Sequence, residues 1–359
     1  MNIAGIGVVG TTGRGVASLE AALNRGWTAP GLVDIRGSAG ERLPVYAVPP
    51  EVLSDKTVLA KARRADRFTR MSVLAAWDAL QDSGLAASVD RTRLGVIVAT
   101  ALGPHATTFG FLDGILDFGD AAVSPTAFSH SVHNAAASYI AMTLDVRGPT
   151  LTLTHFDFAF HEAVSLARTW LAANRCDAVL VGAVDELGSV MQFVCGRMLR
   201  PAADGRIKPF DFSVKPESVP GEGSVFFMLT RDNAGAAYGR LGAVSRDHSA
   251  VRSTGQSVQL LDACGLAKNE TAYRTALMPG TLTAGYAPLF GSVMTGSAFH
   301  AAIAALMLKR QYRYAVPVAE NPHGLDLCLE TGAAVVDQVF CTRLDCAGRR
   351  GTLHLSAVR

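Results

Sequence analysis

The stretch GPTLTLTHFDFAFHEAVSLARTWLAANRCDAVLVGAVDEL, Gly148 to Leu187, constrains the fold of this chain more than any other segment. It opens as a β-strand, bends through a short hinge, and continues as an amphipathic helix with Val164, Leu166, Ala167 and Leu171 inward. A second apolar strand, Ala178 to Val184, follows. A strand that delivers a tight turn at a helix N-terminus is where many enzymes seat a nucleophile. The hinge reads His155-Phe156-Asp157-Phe158, with neither Cys nor Ser.

The rest of the chain repeats this alternation. Ile3–Val9, Leu94–Thr100, Val225–Leu229 and Thr352–Val358 read as strands. Val16–Arg25 and Asp66–Gly84 read as helices, the second with Met71, Leu74, Ala75 and Leu80 at helical spacing and Gly84 closing it. Ala298–Leu308 is apolar nearly all round, which predicts a helix buried on most sides. The pattern predicts an α/β fold, with a mixed or parallel sheet between helix layers. The polar stretch Arg231–Gly239 is the expected boundary between two halves, 1–235 and 236–359. Gly119–Asp120 and Pro209–Gly223 read as surface loops.

Composition narrows the function. With 359 residues, 49% of them hydrophobic, the chain is long enough for a substantial core. A net charge of +2 gives no reason to expect nucleic acid or an acidic membrane face. No apolar run reaches the length of a membrane span. The six cysteines are scattered without a CxxC pair, so structural zinc is not expected and a reduced, cytoplasmic setting is.

Gly5-Ile6-Gly7-Val8-Val9-Gly10 matches a dinucleotide-binding fingerprint, with Asp34 placed as a ribose acid. That motif needs a helix opening at the glycines, and Thr11-Thr12-Gly13-Arg14-Gly15 intervenes. Close strand packing is the expected role of these glycines, and no cofactor is expected. At the hinge, Asp157 reads as a helix N-cap. Phe156, Phe158 and Phe160 suggest a pocket filled by rings. His155, Asp157 and His161 do not form a compelled metal set, because Glu162 and His161 point apart around the helix. His130 and His133 read as packing or interface histidines.

Six segments in order resemble the β-ketoacyl synthases of the thiolase superfamily. They are GIGVVGTTGRGVASLEAAL, RRADRFTRMSVLAAWDALQDSGL, RLGVIVAT, NAAASYIAMTLDVRGPTLTLT, CDAVLVGAVDEL and RPAADGRIKPFDFSVKPESVPGEGSVFFML. The resemblance implies two similar βαβαβ halves in a five-layer α-β-α-β-α sandwich, the second half shortened. Aligned through Gly148-Pro149, the family's nucleophilic Cys falls on Asp157; aligned through the small-residue helix that starts at Gly296-Ser297-Ala298, a catalytic His falls on Val293. No His-Gly-Thr motif stands between Arg231 and Pro288, and CAGRRG (Cys346–Gly351) replaces the family's Gly-Phe-Gly loop.

A Claisen condensation needs a thiolate to store the acyl chain as a thioester, whereas a carboxylate would form a reactive anhydride. No catalytic residue is therefore expected. The resemblance is closest to the chain length factors of aryl-polyene and related polyene systems, which pair with an active ketosynthase that is fed by acyl carrier protein. It implies a dimer interface at Asn134, Ile140, Thr150, Leu151, Thr152 and Leu153. It also implies a tunnel wall at Phe109, Leu112, Gly114, Ile115, Leu116 and Phe128. The rival reading is a thioester hydrolase or decarboxylase using His155 and Asp157.

Overall fold

A computed structural model describes residues 1–37, 40–213, 215–231, 237–245, 256–266 and 270–358. Five strands make the main path of the first half of the sheet, with the two-residue strand Gly13–Arg14 added on the first of them: β1 (Asn2–Gly10), β2 (Leu94–Thr100), β3 (Thr150–Thr154), β4 (Ala178–Asp185) and β5 (Gly223–Thr230). Five make the second: β6 (Arg240–Ser245), β7 (Ser257–Asp262), β8 (Leu282–Ala284), β9 (Gln338–Leu344) and β10 (Arg350–Ser356).

The two sets have one topology. The first runs β3-β2-β4-β5-β1, parallel through β4 and antiparallel across β5. The second runs β8-β7-β9-β10-β6 with the same sequence of parallel and antiparallel pairs. A single pairing, Asn2 with Arg240, joins them. The boundary expected at 235/236 lies outside the described residues.

The helices account for the layers. Between the two strand sets lie α6 (Ala159–Ala172) and α10 (Ser297–Arg310), each touching strands of both. That position explains the composition of α10, which is buried at every residue from Ser297 to Leu308 and has no face left for polar side chains. Helices α2 (Arg67–Asp82) and α5 (Ala135–Leu144) cover the outer face of the first set, and α8 (Glu270–Ala276) lies on β9 of the second. Asp66 caps α2 by accepting from the Thr69 N–H at 2.8 Å. This is the mixed α/β, thiolase-like fold expected from the sequence.

The glycines of the N-terminal fingerprint serve packing. A Cβ on Gly7 would lie 1.9 Å from the Ala75 carbonyl oxygen, and one on Gly5 would lie 2.3 Å from that of Ala79. Strand β1 and helix α2 therefore meet backbone to backbone.

Two expectations need correcting. Pro209–Gly223 is irregular but is not a surface loop: Phe210, Ser218, Val219 and Glu222 are buried. Its backbone is satisfied by isolated bridges, Tyr46 with Gly221 and Pro220 with Ser292, so it can run inside the molecule. Ile140 is fully buried against its own chain's core, because it faces β2 and α2, and so it offers no surface to a partner.

Candidate functional site

The hinge after β3 forms one wall of a cavity of about 540 Å³. Asp157 and Phe156 line it on that side. Ser292 and Met294, either side of Val293, line it from the second half, and Cys346 lines it from the loop after β9. The hinge, the neighbours of Val293 and the loop after β9 thus meet at one cavity. Val293 itself turns inward, 1% exposed. The pocket is not filled by rings. Phe158 and Phe160 point into the core, and Phe156, 60% exposed, stands at the wall.

Asp157 is not the cap of α6. The position before the helix is Phe158, and no side chain of that residue bonds the first turn. His155 supplies the acceptor instead: its Nδ1 takes hydrogen bonds from the Asp157 and Phe158 N–H groups, both at 3.1 Å. The ring replaces the carboxylate because it can fold back over the exposed amides from two residues upstream. With Nδ1 occupied as an acceptor, the ring presents only Nε2 to anything else. His161 is buried and packs edge-on against Phe158, centroids 5.4 Å apart. Among the described residues no group of three or more His, Cys, Asp or Glu is placed to hold a metal ion.

The cavity floor carries two acids that sequence reasoning did not single out. Asp185 ends the wholly buried β4 and Glu186 follows it, and both are 4% exposed. Burial pushes the Glu186 carboxyl up to about 8, helped by the nearby Asp66 and Glu222 and opposed by the Ala106 N–H and Arg67. Burial also raises Asp185, against hydrogen bonds that include the Ala101 N–H and the Thr100 hydroxyl. Two charged residues ending an all-apolar strand were the available signal.

Glu186 also positions the helix above the floor. Its Oε1 accepts from the Ala106 N–H at 2.9 Å, in the first turn of α3 (His105–Phe118). His105 is buried and its pKa is lowered by that burial; its Nε2 accepts from the Gly188 N–H. Thr107 donates to Asp66, the cap of α2. Beyond this anchored turn α3 stands clear of the core. Leu116 is 82% and Phe118 75% exposed, Phe109 and Leu112 are exposed, and Gly114 meets nothing within 4 Å. Helix α4 (Pro125–His130) leans on it through Phe128 and Phe111, ring centroids 5.6 Å apart.

The segments expected at an interface are exposed in part. Asn134, Thr150 and Leu151 face outward, Thr152 is half-buried, and Leu153 is half-buried against the core. Strand β3 ends the first strand set, and among the described residues nothing pairs with its outer edge. His130 bonds the Tyr139 hydroxyl through Nε2, and the exposed His133 lies beside Gly103.

A second buried cluster also escaped the sequence. Arg343, Asp262 and His300 lie together in the second half, with Arg343 donating to Asp262 and His300 Nδ1 3.8 Å from the same carboxylate. All three are 2% exposed or less, and none lines the cavity.

The profile of the β-ketoacyl synthase N-terminal domain matches residues 51–234, just over half of the chain. This chain belongs to the β-ketoacyl synthase family. It is 28% identical over 247 residues to the putative polyketide β-ketoacyl synthase 1 of Streptomyces halstedii, covering 63% of this chain and 57% of that one. It is 26% identical over 280 residues to the tetracenomycin polyketide synthase ketoacyl synthase alpha subunit of Streptomyces glaucescens, covering 70% and 64%. The chain thus spans about three-fifths of the length of these relatives. Among solved structures, the ishigamide ketosynthase/chain length factor superposes with a TM-score of 0.82 at 18% identity, over 100% of this chain and 99% of the other. The ketosynthase ApeO in complex with its chain length factor ApeC, from Xenorhabdus doucetiae, superposes with a TM-score of 0.76 at 17% identity, over 99% and 98%. The hinge of this chain carries a carboxylate, Asp157, and no thiol.

Proposed function

We propose that this chain is a non-catalytic chain length factor that pairs with an active β-ketoacyl synthase and forms the far wall of the partner's acyl tunnel. The observation that carries the reading is the hinge. Thioester storage needs a thiolate there, and the hinge holds Asp157 with the His155 ring folded over the helix start. The same engagement disfavours a hydrolase built on His155 and Asp157, since the ring's acceptor nitrogen is already used.

The exposed apolar side of α3 and α4 supports a partner. Phe109, Leu112, Leu116, Phe118 and Phe128 lie together in sequence and are open to solvent, where large apolar patches mark interaction surfaces. Strand β3, with its free edge, is the expected second contact. On this reading acyl carrier protein delivers substrate to the partner's cysteine in the cytoplasm, and the product belongs to a polyene-like system.

Co-expression with an active β-ketoacyl synthase of the same source tests the proposal. The two chains should co-purify as a heterodimer, and intact-mass analysis with acyl carrier protein should find the acyl adduct on the partner alone. Asp157→Ala should leave turnover of the assembled complex largely intact. An acyl adduct on this chain, or turnover abolished in an assembled Asp157→Ala complex, refutes the reading.

A further inference from the structure

We infer that an open groove at the seam between the two strand sets is a binding site for a small diphosphate-bearing anion. The inference goes beyond the partner reading and does not rest on it. The groove shares no residue with the hinge cavity, with α3 and α4, or with the free edge of β3. It lies at the far end of α6 from the hinge, roughly 18 Å along the helix axis from Ala159 to Leu171.

The groove has a volume of about 590 Å³, and Arg168, Arg231 and Arg240 stand in its wall. Each comes from a different element: Arg168 is near the end of α6, Arg231 directly follows β5, and Arg240 opens β6. The sequence as a whole nearly balances its charges, with 33 Lys and Arg against 31 Asp and Glu. Here the signs are segregated, and among the described residues no Asp or Glu lines the groove. The acid bonded to this wall from outside is Asp177. Its one charge is divided between Arg231 at 2.8 Å and Arg93 at 2.9 Å. Arg168 and Arg240 are exposed and, among the described residues, enter no ion pair.

Two further features distinguish the groove from an ordinary basic surface. Arg231 is fixed in place, since its guanidinium donates to the Cys176 carbonyl, the Asn174 side chain and Asp177. Its Nε is buried and has no acceptor among the described residues. A buried donor without an acceptor is costly, and an anion oxygen at this wall supplies what it lacks. The floor is apolar, with Leu171 and Leu241 at 4% and 1% exposure. Water therefore screens the three charges less than on an open surface. The dipole of α6 opposes an anion at this end. Its carbonyls at Thr169, Trp170 and Leu171, however, already accept from the Ala173, Arg175 and Asn174 N–H groups.

These features select the ligand. A guanidinium fork pairs bidentately with carboxylate or phosphate oxygens. One carboxylate cannot face three forks set on separate elements, whereas two linked phosphates bring more oxygens and more charge. Among the described residues no aromatic ring lines the groove for a base to stack on, so the diphosphate is the part recognised. Arg240 also makes the single pairing, with Asn2, that joins the two strand sets. A bound diphosphate thus ties Arg168 and Arg231 of the first half to Arg240 of the second.

Isothermal titration with inorganic diphosphate at fixed ionic strength, on the chain alone or co-purified with a synthase, tests the inference. Diphosphate should bind about tenfold or more tightly than orthophosphate or sulfate, and more weakly as NaCl is raised. The melting temperature should climb with diphosphate concentration, because the anion binds the folded state. Arg168→Gln and Arg240→Gln should each weaken binding about tenfold. Ala172→Glu sets a carboxylate on the exposed wall and should abolish binding with circular dichroism unchanged. Arg63→Gln, at an exposed arginine outside the groove, should bind as the parent does. Tighter binding of ADP than of diphosphate would name a nucleotide as the source, and the reverse order the free anion; both support the site. Equal affinity for diphosphate, orthophosphate and sulfate would overturn the inference. So would absence of binding at about 1 mM diphosphate, or undiminished binding in the folded Arg168→Gln, Arg240→Gln and Ala172→Glu variants.

Discussion

Glu186→Gln isolates the cost of keeping an acid beneath the cavity. The carboxyl sits at about 8 in the folded chain against an ordinary 4.5. An acid whose pKa is raised on folding binds more protons in the native state than in the unfolded state between those two values. Stability therefore falls as pH rises through the window, at up to about 1.4 kcal/mol per unit. Across the whole window the loss is on the order of 5 kcal/mol, and at pH 7 it is about 3 kcal/mol. Below pH 4.5 both states hold the proton and the contribution is constant. The amide of Gln keeps an acceptor for the Ala106 N–H and cannot ionise. The assay is urea unfolding at a series of pH values from 4.5 to 8.5. The parent should lose stability steeply over this range and the variant much less, with a residual slope from Asp185, which burial also raises. Equal slopes in the two proteins would show that Glu186 ionises normally, and the account of a largely neutral floor would fail.

The other predictions follow from single contacts. Gly7→Ala should destabilise the chain by about 3 kcal/mol or more, since its Cβ would lie 1.9 Å from a helix carbonyl; a melting temperature near the parent's would contradict the close approach of β1 and α2. His155→Ala should cost about 1 kcal/mol of stability through the lost cap, measured by denaturant midpoint, with little change in turnover of the assembled complex. Phe109→Ala or Leu112→Ala in the complex should lengthen the product and Gly114→Trp should shorten it, each shifting the distribution by about 1–3 kcal/mol of steric preference; an unchanged chain-length profile from all three assembled variants would remove α3 from the tunnel wall.

The fold was legible where burial writes a simple pattern. Strands buried on both faces read as apolar runs, and α10 betrayed its two-sided burial by having no polar face. The second strand set was harder to see. Gln259, Asp262, Thr342 and Arg343 sit inside its strands as buried, paired polar residues, so the runs look interrupted. At the site, the absence of Cys and Ser from the hinge was plain from the sequence. What fills the space there was not. Whether three phenylalanines close a pocket depends on backbone direction, and two of them turn into the core. Ile140 failed as an interface residue for the same reason, since a helix identified by resemblance does not declare which side its own sheet takes.

Helices α6 and α10 have a consequence for how the chain can be divided. One continuous hydrophobic cluster runs from β1 through α6 and α10 to β9 and β10, so neither strand set alone owns the interior between them. A chain cut between the sets would give two fragments, each with an apolar face stripped of its cover. Neither should be soluble alone, yet mixed together they hold every contact of the uncut molecule except one peptide bond. The repeated topology therefore does not mean modularity. The two sets should melt in one cooperative transition, and an exchange of one set with a relative should succeed only if both central helices travel with it.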